Sequence, residues 1–158
     1  MAVVQTVDHS ALKVNQTGIV ATVLVAVLGS QAVPWLIWLI PVLAIVLLAG
    51  TFAPQLALFK QLYLRVLKPR GIVKPRPVAD RPEPHNFAQG LGGVFLGISS
   101  LLVFGPLLAG DFRPGPGLVL GLAIALLVAV LAFVNLAFGY CLGCQIYFQL
   151  GKRGLIRA

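Results

Sequence analysis

Two cysteines, Cys141 and Cys144, stand three residues apart and are the only cysteines in the chain. On a helix, residues three apart share a face, and the resulting Cα separation suits a disulfide. Thiol–disulfide exchange needs this proximity, because the second thiol must reach and resolve a mixed disulfide. In an intracellular setting such a Cys-x-x-Cys points to redox chemistry or metal ligation rather than to a structural staple. The local electrostatics pull both ways. The pair follows a long apolar stretch, and the C-terminal end of a helix disfavours a thiolate. Gly139 and Gly143 could break that helix and let a new one begin near Cys141, and Lys152 and Arg153 would then add positive potential. The alternative reading is a pair of small apolar fillers.

Metal ligation is a second chemistry. Zinc takes four ligands, and Cys141, Cys144, His85 and His9 supply that number on one side of the apolar stretches. The two histidines lack ligand spacing, and two solvated loop histidines are the plainer reading. A third group is a polar layer of Asn15, Gln16, Gln89 and Asn135 near the same ends of three apolar stretches. Hydrocarbon offers such groups no partner. Interhelical hydrogen bonds of roughly 0.6–2 kcal/mol each account for them without a ligand. Asp80, Glu83 and His85, around Pro84, could dock on this layer or stand solvated. The chain shows no Ser/His/Asp set, phosphate loop or paired carboxylate in an apolar stretch, and the sequence assigns no cofactor. The lack of ionisable groups in the stretches weakens an ion-coupled carrier.

The elements that must position these residues follow from composition. Hydrophobic residues make up 59% of the 158-residue chain and charged residues 10%, and the mean hydropathy is +0.97. A soluble domain carries roughly a quarter charged residues. A spanning helix needs about 20 mostly apolar residues. Four stretches qualify: 12–28, 34–52, 87–108 and 118–138. The fold class expected is all-α, a four-transmembrane-helix bundle forming a single membrane domain. Four crossings put both termini and the 53–86 loop on one side. That side holds Lys13, the loop residues Lys60, Arg65, Lys68, Arg70, Lys74, Arg76 and Arg81, and Lys152, Arg153 and Arg157; the other holds Arg113 alone. The positive-inside rule therefore makes both termini cytoplasmic, with the inner membrane of a bacterium as the location. The net charge of +8 then belongs to anionic headgroups, at about 1 kcal/mol per basic residue, and no recognition motif supports nucleic acid. A cleaved signal peptide ending near Ser30-Gln31-Ala32 is a rival reading of the first stretch, but Asp8 and a lone Lys13 make a poor leader.

Between spans two and three, Leu58, Phe59, Leu62, Tyr63 and Val66 share one helical arc and Lys60, Gln61, Arg65 and Lys68 the other. That pattern predicts an amphipathic helix in the cytoplasmic interface, followed by an extended, proline-rich run to Pro84. Pro41 should kink span two. Gly90, Gly92, Gly93 and Gly97 in span three, and Gly117, Gly121, Ala125 and Ala129 in span four, predict close packing of these two helices. Short matches suggest an internal duplication: Val14-Asn15-Gln16 with Phe87-Ala88-Gln89, and Gln61-Leu62-Tyr63-Leu64 with Gln145-Ile146-Tyr147-Phe148. Two hairpins in one orientation would form a parallel repeat.

The chain resembles the bacterial membrane family called domain of unknown function 4395. The resemblance rests on Asn15-Gln16, on Pro84-His85-Asn86-Phe87-Ala88-Gln89-Gly90 and on Phe138-Gly139-Tyr140-Cys141-Leu142-Gly143-Cys144-Gln145-Ile146-Tyr147. Asn86 stands where the family pattern would have a basic residue. The resemblance implies topology rather than an activity, together with an association with thioredoxin-like and rhodanese-like (sulfurtransferase-like) proteins. Three functions are expected candidates: thiol-redox or sulfur handling through Cys141 and Cys144, a non-catalytic subunit or scaffold, and a carrier for a small sulfur anion.

Overall fold

Among the described residues, four helices are long and apolar enough to cross a membrane, and they pack as one bundle. The computed structural model describes residues 5–108 and 115–155. Arg113, Arg157 and the 111–114 part of the outer turn lie outside the described residues. Strand β1 (Gln5–Asp8) leads directly into helix α1 (His9–Gly29). A 3-10 turn, Pro34–Trp38, opens span two and passes into α2 (Leu39–Phe52). A short helix α3 (Leu58–Leu62), prolonged by a π-helical turn through Tyr63–Leu67, leads towards strand β2 (Pro77–Asp80). Helices α4 (Pro82–Leu108), α5 (Pro116–Phe138) and α6 (Leu142–Lys152) complete the chain.

The core lies between the four long helices. Val23 and Ala26 of α1, Ile40, Leu43 and Leu47 of α2, Leu96 of α4, and Ala125, Val128 and Ala129 of α5 meet there. The outer faces are equally apolar: Ile45 is 67% exposed and Phe138 78%. Side chains that greasy, pointing away from a filled core, form a belt that only lipid can cover.

Small residues decide which helices touch. A methyl group on Gly121 would fall 2.8 Å from the Ser99 carbonyl, and one on Gly117 2.9 Å from that of Leu102. The backbones of α4 and α5 are thus in contact, and the fully buried Ser99 hydroxyl donates to the Gly121 carbonyl at 2.6 Å. The α4 glycines serve a different neighbour from the one expected. Gly90 abuts Thr51 and Gly93 abuts Leu48, both on α2.

Three expectations from sequence are revised. Span three begins at Pro82 rather than Phe87, because Pro82 and Pro84 sit in the first turn, where a missing N–H costs nothing. Pro41 lies in the first turn of α2, so the irregularity is the 3-10 to α junction before it rather than a mid-span kink. Within residues 1–11, read from the sequence only as short and polar, Gln5–Asp8 form a strand. β1 pairs antiparallel with β2 in the register Gln5↔Asp80, Thr6↔Ala79, Val7↔Val78 and Asp8↔Pro77. The Asp8 carboxylate caps α1 by accepting the Ser10 N–H at 3.1 Å, which sets the start of span one at His9.

The amphipathic helix is present where expected. Lys60, Arg65 and Lys68 are exposed, while Phe59 packs over Gly18 of α1 and Tyr63 is wholly buried. The two hairpins are arranged alike. In the first, α3 folds back on α1; in the second, α6 folds back on α4, with Gly143 against Ala88 and the rings of Phe87 and Tyr147 5.6 Å apart.

Candidate functional site

Gly139 ends α5 with a left-handed φ of 70°, its N–H bonded to the Asn135 carbonyl at 2.9 Å. Only glycine takes this conformation without cost. The chain therefore leaves the α5 axis, and a new helix starts at Leu142 with Cys141 as its N-cap. Cys141 Sγ accepts the Cys144 N–H at 3.2 Å, and the Cys141 carbonyl takes the Gln145 N–H. The cysteine pair thus lies at the positive end of a helix dipole, the placement that stabilises a thiolate. Lys152 and Arg153 stand at the opposite end of α6, roughly 16 Å along the axis at 1.5 Å per residue. They are too far away to supply the potential expected of them.

Cys141 and Cys144 form a disulfide with a Cα separation of 5.2 Å. Cys144 is 9% exposed and packs inward, and Cys141 is the more accessible of the two. Gly143 makes this possible. A Cβ there would lie 2.5 Å from the Ala88 Cβ and 2.8 Å from its Cα, so α6 can approach α4 only with glycine at that position.

The approach sets Cys144 Sγ 3.7 Å from His85 Nδ1. The other ring nitrogen, Nε2, faces Asp80 Oδ2 at 3.0 Å. His9, the first residue of α1, brings its own Nε2 to the same oxygen at 3.2 Å. Asp80 Oδ1 accepts the Arg81 N–H at 2.7 Å. Burial raises the Asp80 carboxyl, but the hydrogen bonds from His85 and Arg81, the His85 charge and the His9 bond outweigh it and hold the group below its usual value. An ionised Asp80 that accepts from Nε2–H leaves Nδ1 of His85 turned to the sulfur as acceptor or base. The result is a sulfur–imidazole–carboxylate chain, built from α6, α4 and β2.

A second latch holds the ribbon. The buried Tyr63 hydroxyl donates to Asp8 Oδ2 at 2.7 Å, and Asp8 Oδ1 accepts the Arg76 N–H at 3.0 Å. Burial raises the Asp8 carboxyl, but these bonds and the Ser10 N–H pull it below its ordinary value; burial and the same carboxylate push the Tyr63 hydroxyl up.

The four residues considered for zinc do not surround one point. The ligand atoms of His85, Cys141 and Cys144 lie within 4.8 Å of one another, and so do those of His9, Asp80 and His85. His85 joins the two sets through opposite ring nitrogens, and His9 belongs only to the set around Asp80. With the sulfurs bonded to each other, neither offers the thiolate that zinc requires.

The polar layer is partly knitted together. The Asn15 amide donates to Gln89 Oε1 at 3.4 Å, and the Gln89 amide to the Leu47 carbonyl at 3.1 Å. Gln16 and Asn135 face a cavity of about 340 Å³ between α1, α4, α5 and α6, which Asn15, Gln89, His85 and Cys141 also line. Asp80 is the residue that sequence reasoning undervalued. Its position five residues before His85 was the available signal, but its pairing with His9 depends on a strand contact across 71 residues. Glu83 is exposed.

The family model of domain of unknown function 4395 matches residues 7–152. The chain belongs to this family. The match takes in the end of β1, the four long helices, α6 and the whole sulfur–imidazole–carboxylate chain. No curated protein and no solved structure shows significant similarity to the chain.

Proposed function

We propose that this member of the family is a membrane thiol–disulfide oxidoreductase working through Cys141 and Cys144. The observation that carries the reading is the disulfide at the start of α6 with His85 Nδ1 3.7 Å from Cys144 Sγ. A substrate thiolate attacks Cys141, the more accessible sulfur. The S–S bond breaks, and Cys144 leaves as a thiolate; an imidazolium His85, its Nε2–H on Asp80, gives it the Nδ1 proton and is left as the neutral base. A second substrate thiol, deprotonated, then attacks the substrate sulfur of the mixed disulfide and releases Cys141, whose thiolate the Cys144 N–H and the helix end stabilise. The substrate dithiol loses two electrons, and the cysteine pair gains them. Asp80, by accepting Nε2–H, keeps Nδ1 turned to the sulfur before and after that proton moves.

The charge distribution supports cytoplasmic termini, hence a pair at the cytoplasmic boundary of a bacterial inner membrane, with the basic loop against anionic headgroups. Disulfides in that compartment are mostly transient and catalytic. Proteins of thioredoxin-like or sulfurtransferase-like type are fitting thiol partners, and a sulfur-transfer reaction would use the same exposed sulfur.

Two observations count against the alternatives. Most of the small residues that would dock a scaffold are occupied within the bundle, Gly117 and Gly121 against α4 and Gly90 and Gly93 against α2, while Gly97 stands open. The cavity a sulfur-anion carrier would use is lined by no Lys or Arg among the described residues. The test is the alkylation mass shift of the purified protein after exposure to a soluble dithiol. Reduction and reoxidation of the pair, slowed at least about tenfold in His85→Ala, are expected. Thiols that never cycle, or a His85→Ala variant at full speed, would sink the reading.

A further inference from the structure

A cysteine pair that oxidises a substrate stops after one turnover unless something removes its electrons. The cavity beside Cys141 has the build of a site for such an acceptor. Its volume, about 340 Å³, falls in the usual range for ligand sites, about 300–1,000 Å³. It is amphipathic along its length. At one end stand Cys141, His85 and the amides of Gln16 and Asn135; at the other the walls are Phe95 and Leu127. From Asn135 to Leu127 the α5 wall runs roughly 12 Å at 1.5 Å per residue. Leu127 and Phe95 are also exposed on the outer apolar belt, so the greasy end reaches the surface that lipid covers.

The occupant must match these features. An apolar body that enters from the bilayer suits the deep walls. Its polar end must accept hydrogen bonds from amide N–H groups. A hydrocarbon chain meets the first condition and fails the second, and a small anion fails the first. At the polar end lies a sulfur, so the occupant's accepting group can also take electrons. We propose that the cavity binds a lipid-soluble quinone and that the reduced cysteine pair passes its electrons to it. The inference rests on the redox reading above and adds the second substrate.

The step balances. The Cys141–Cys144 dithiol forms its S–S bond and gives up two electrons and two protons. The quinone takes both electrons and both protons and becomes a hydroquinone. His85 Nδ1, 3.7 Å from Cys144 Sγ and on the cavity wall, is placed to receive the Cys144 proton. The Gln16 and Asn135 amides hold the quinone carbonyls.

The test uses the full chain in lipid nanodiscs, reduced and freed of reductant under anaerobic conditions. The probe is a fully substituted benzoquinone with a ten-carbon tail, since a fully substituted ring resists direct addition of a thiol. One hydroquinone formed per disulfide, counted by absorbance and by alkylation mass, is the expected result. Ala132→Trp, which fills the cavity wall, is expected to slow oxidation of the pair by the quinone at least about tenfold while the pair still exchanges with a soluble disulfide. Should that variant fail to fold, Asn135→Leu decides, with an expected rise in the KM for quinone. A reduced pair that exchanges with the soluble disulfide but not with the quinone would overturn this inference and leave the redox function standing. Oxidation of the pair by the quinone at the same rate in wild type and in the folded variants would overturn it too, because the reaction would then lie outside the cavity. A pair inert to both oxidants would remove the redox function itself.

Discussion

Gly143→Ala is the sharpest probe of the site, because it changes one methyl group and touches no reacting atom. The new Cβ would lie 2.5 Å from the Ala88 Cβ and 2.8 Å from the Ala88 Cα. Carbon atoms settle at about 3.5–4.0 Å, so α6 must withdraw from α4 by roughly 1 Å. Helix α4 cannot yield instead, since Gly90 and Gly93 already hold it against Thr51 and Leu48. Cys144 is the next residue, and its 3.7 Å separation from His85 Nδ1 would widen beyond the reach of a sulfur hydrogen bond. A misplacement of about 1 Å can cost up to about a hundredfold in rate, and a loss of ten- to a hundredfold is expected here. Overpacking should also lower stability by about 1–3 kcal/mol. The assay is the rate at which the Cys141–Cys144 disulfide is reduced by a soluble dithiol, followed by alkylation and intact mass. Adding Ala88→Gly removes the nearer of the two clashes, so the double variant should recover part of the rate. A folded Gly143→Ala protein that reacts at the wild-type rate would refute the claim that close contact between α6 and α4 aligns the sulfur with the imidazole.

Two further outcomes are expected outside the spans. Asp8 and Asp80 are both held below the ordinary value of 3.8, so their stabilisation is complete above that pH and is lost as pH falls through the lower folded-state values. Thermal melts followed by circular dichroism should show stability falling below about pH 4, and Asp8→Asn with Asp80→Asn should flatten that limb; an unchanged slope would contradict it. Tyr63→Phe removes a hydrogen bond to a charged carboxylate at 2.7 Å from a fully buried ring, and a loss of about 1.5–3 kcal/mol in denaturant unfolding is expected; no measurable loss would show that the ribbon is held some other way.

The spans were legible because a bilayer asks for length and apolarity, and Leu118–Phe138 supplies both with no charge at all. The amphipathic helix and the contact of Gly117 and Gly121 with α4 followed from equally local rules. The break at Gly139 was legible only as an option. A glycine permits a left-handed φ but does not compel it, and the helix beyond Cys141 depends on the docking of Gly143 against Ala88. The β1–β2 ribbon was not legible. It pairs two four-residue segments across 69 or more residues of chain, one of them opening with Pro77, and no short periodicity marks such a partner. With the ribbon unseen, nothing could place His9 beside Asp80, and the histidines read as isolated groups rather than as two donors to one carboxylate. The target of the α4 glycines was missed for a related reason, since spacing marks a face without saying which neighbour it meets.

Because the ribbon joins the beginning of the chain to the segment before α4, the site cannot mature in the order in which it is synthesised. His9 leaves the ribosome early and waits for Asp80. Cys144 arrives last and finds its imidazole only after two hairpins have been threaded and the closing helix has folded back. Until then the two sulfurs stand apart from the imidazole that will flank them. A chain stalled or clipped before its final helix therefore carries the carboxylate and the imidazole into the bundle with no Cys144 to meet them.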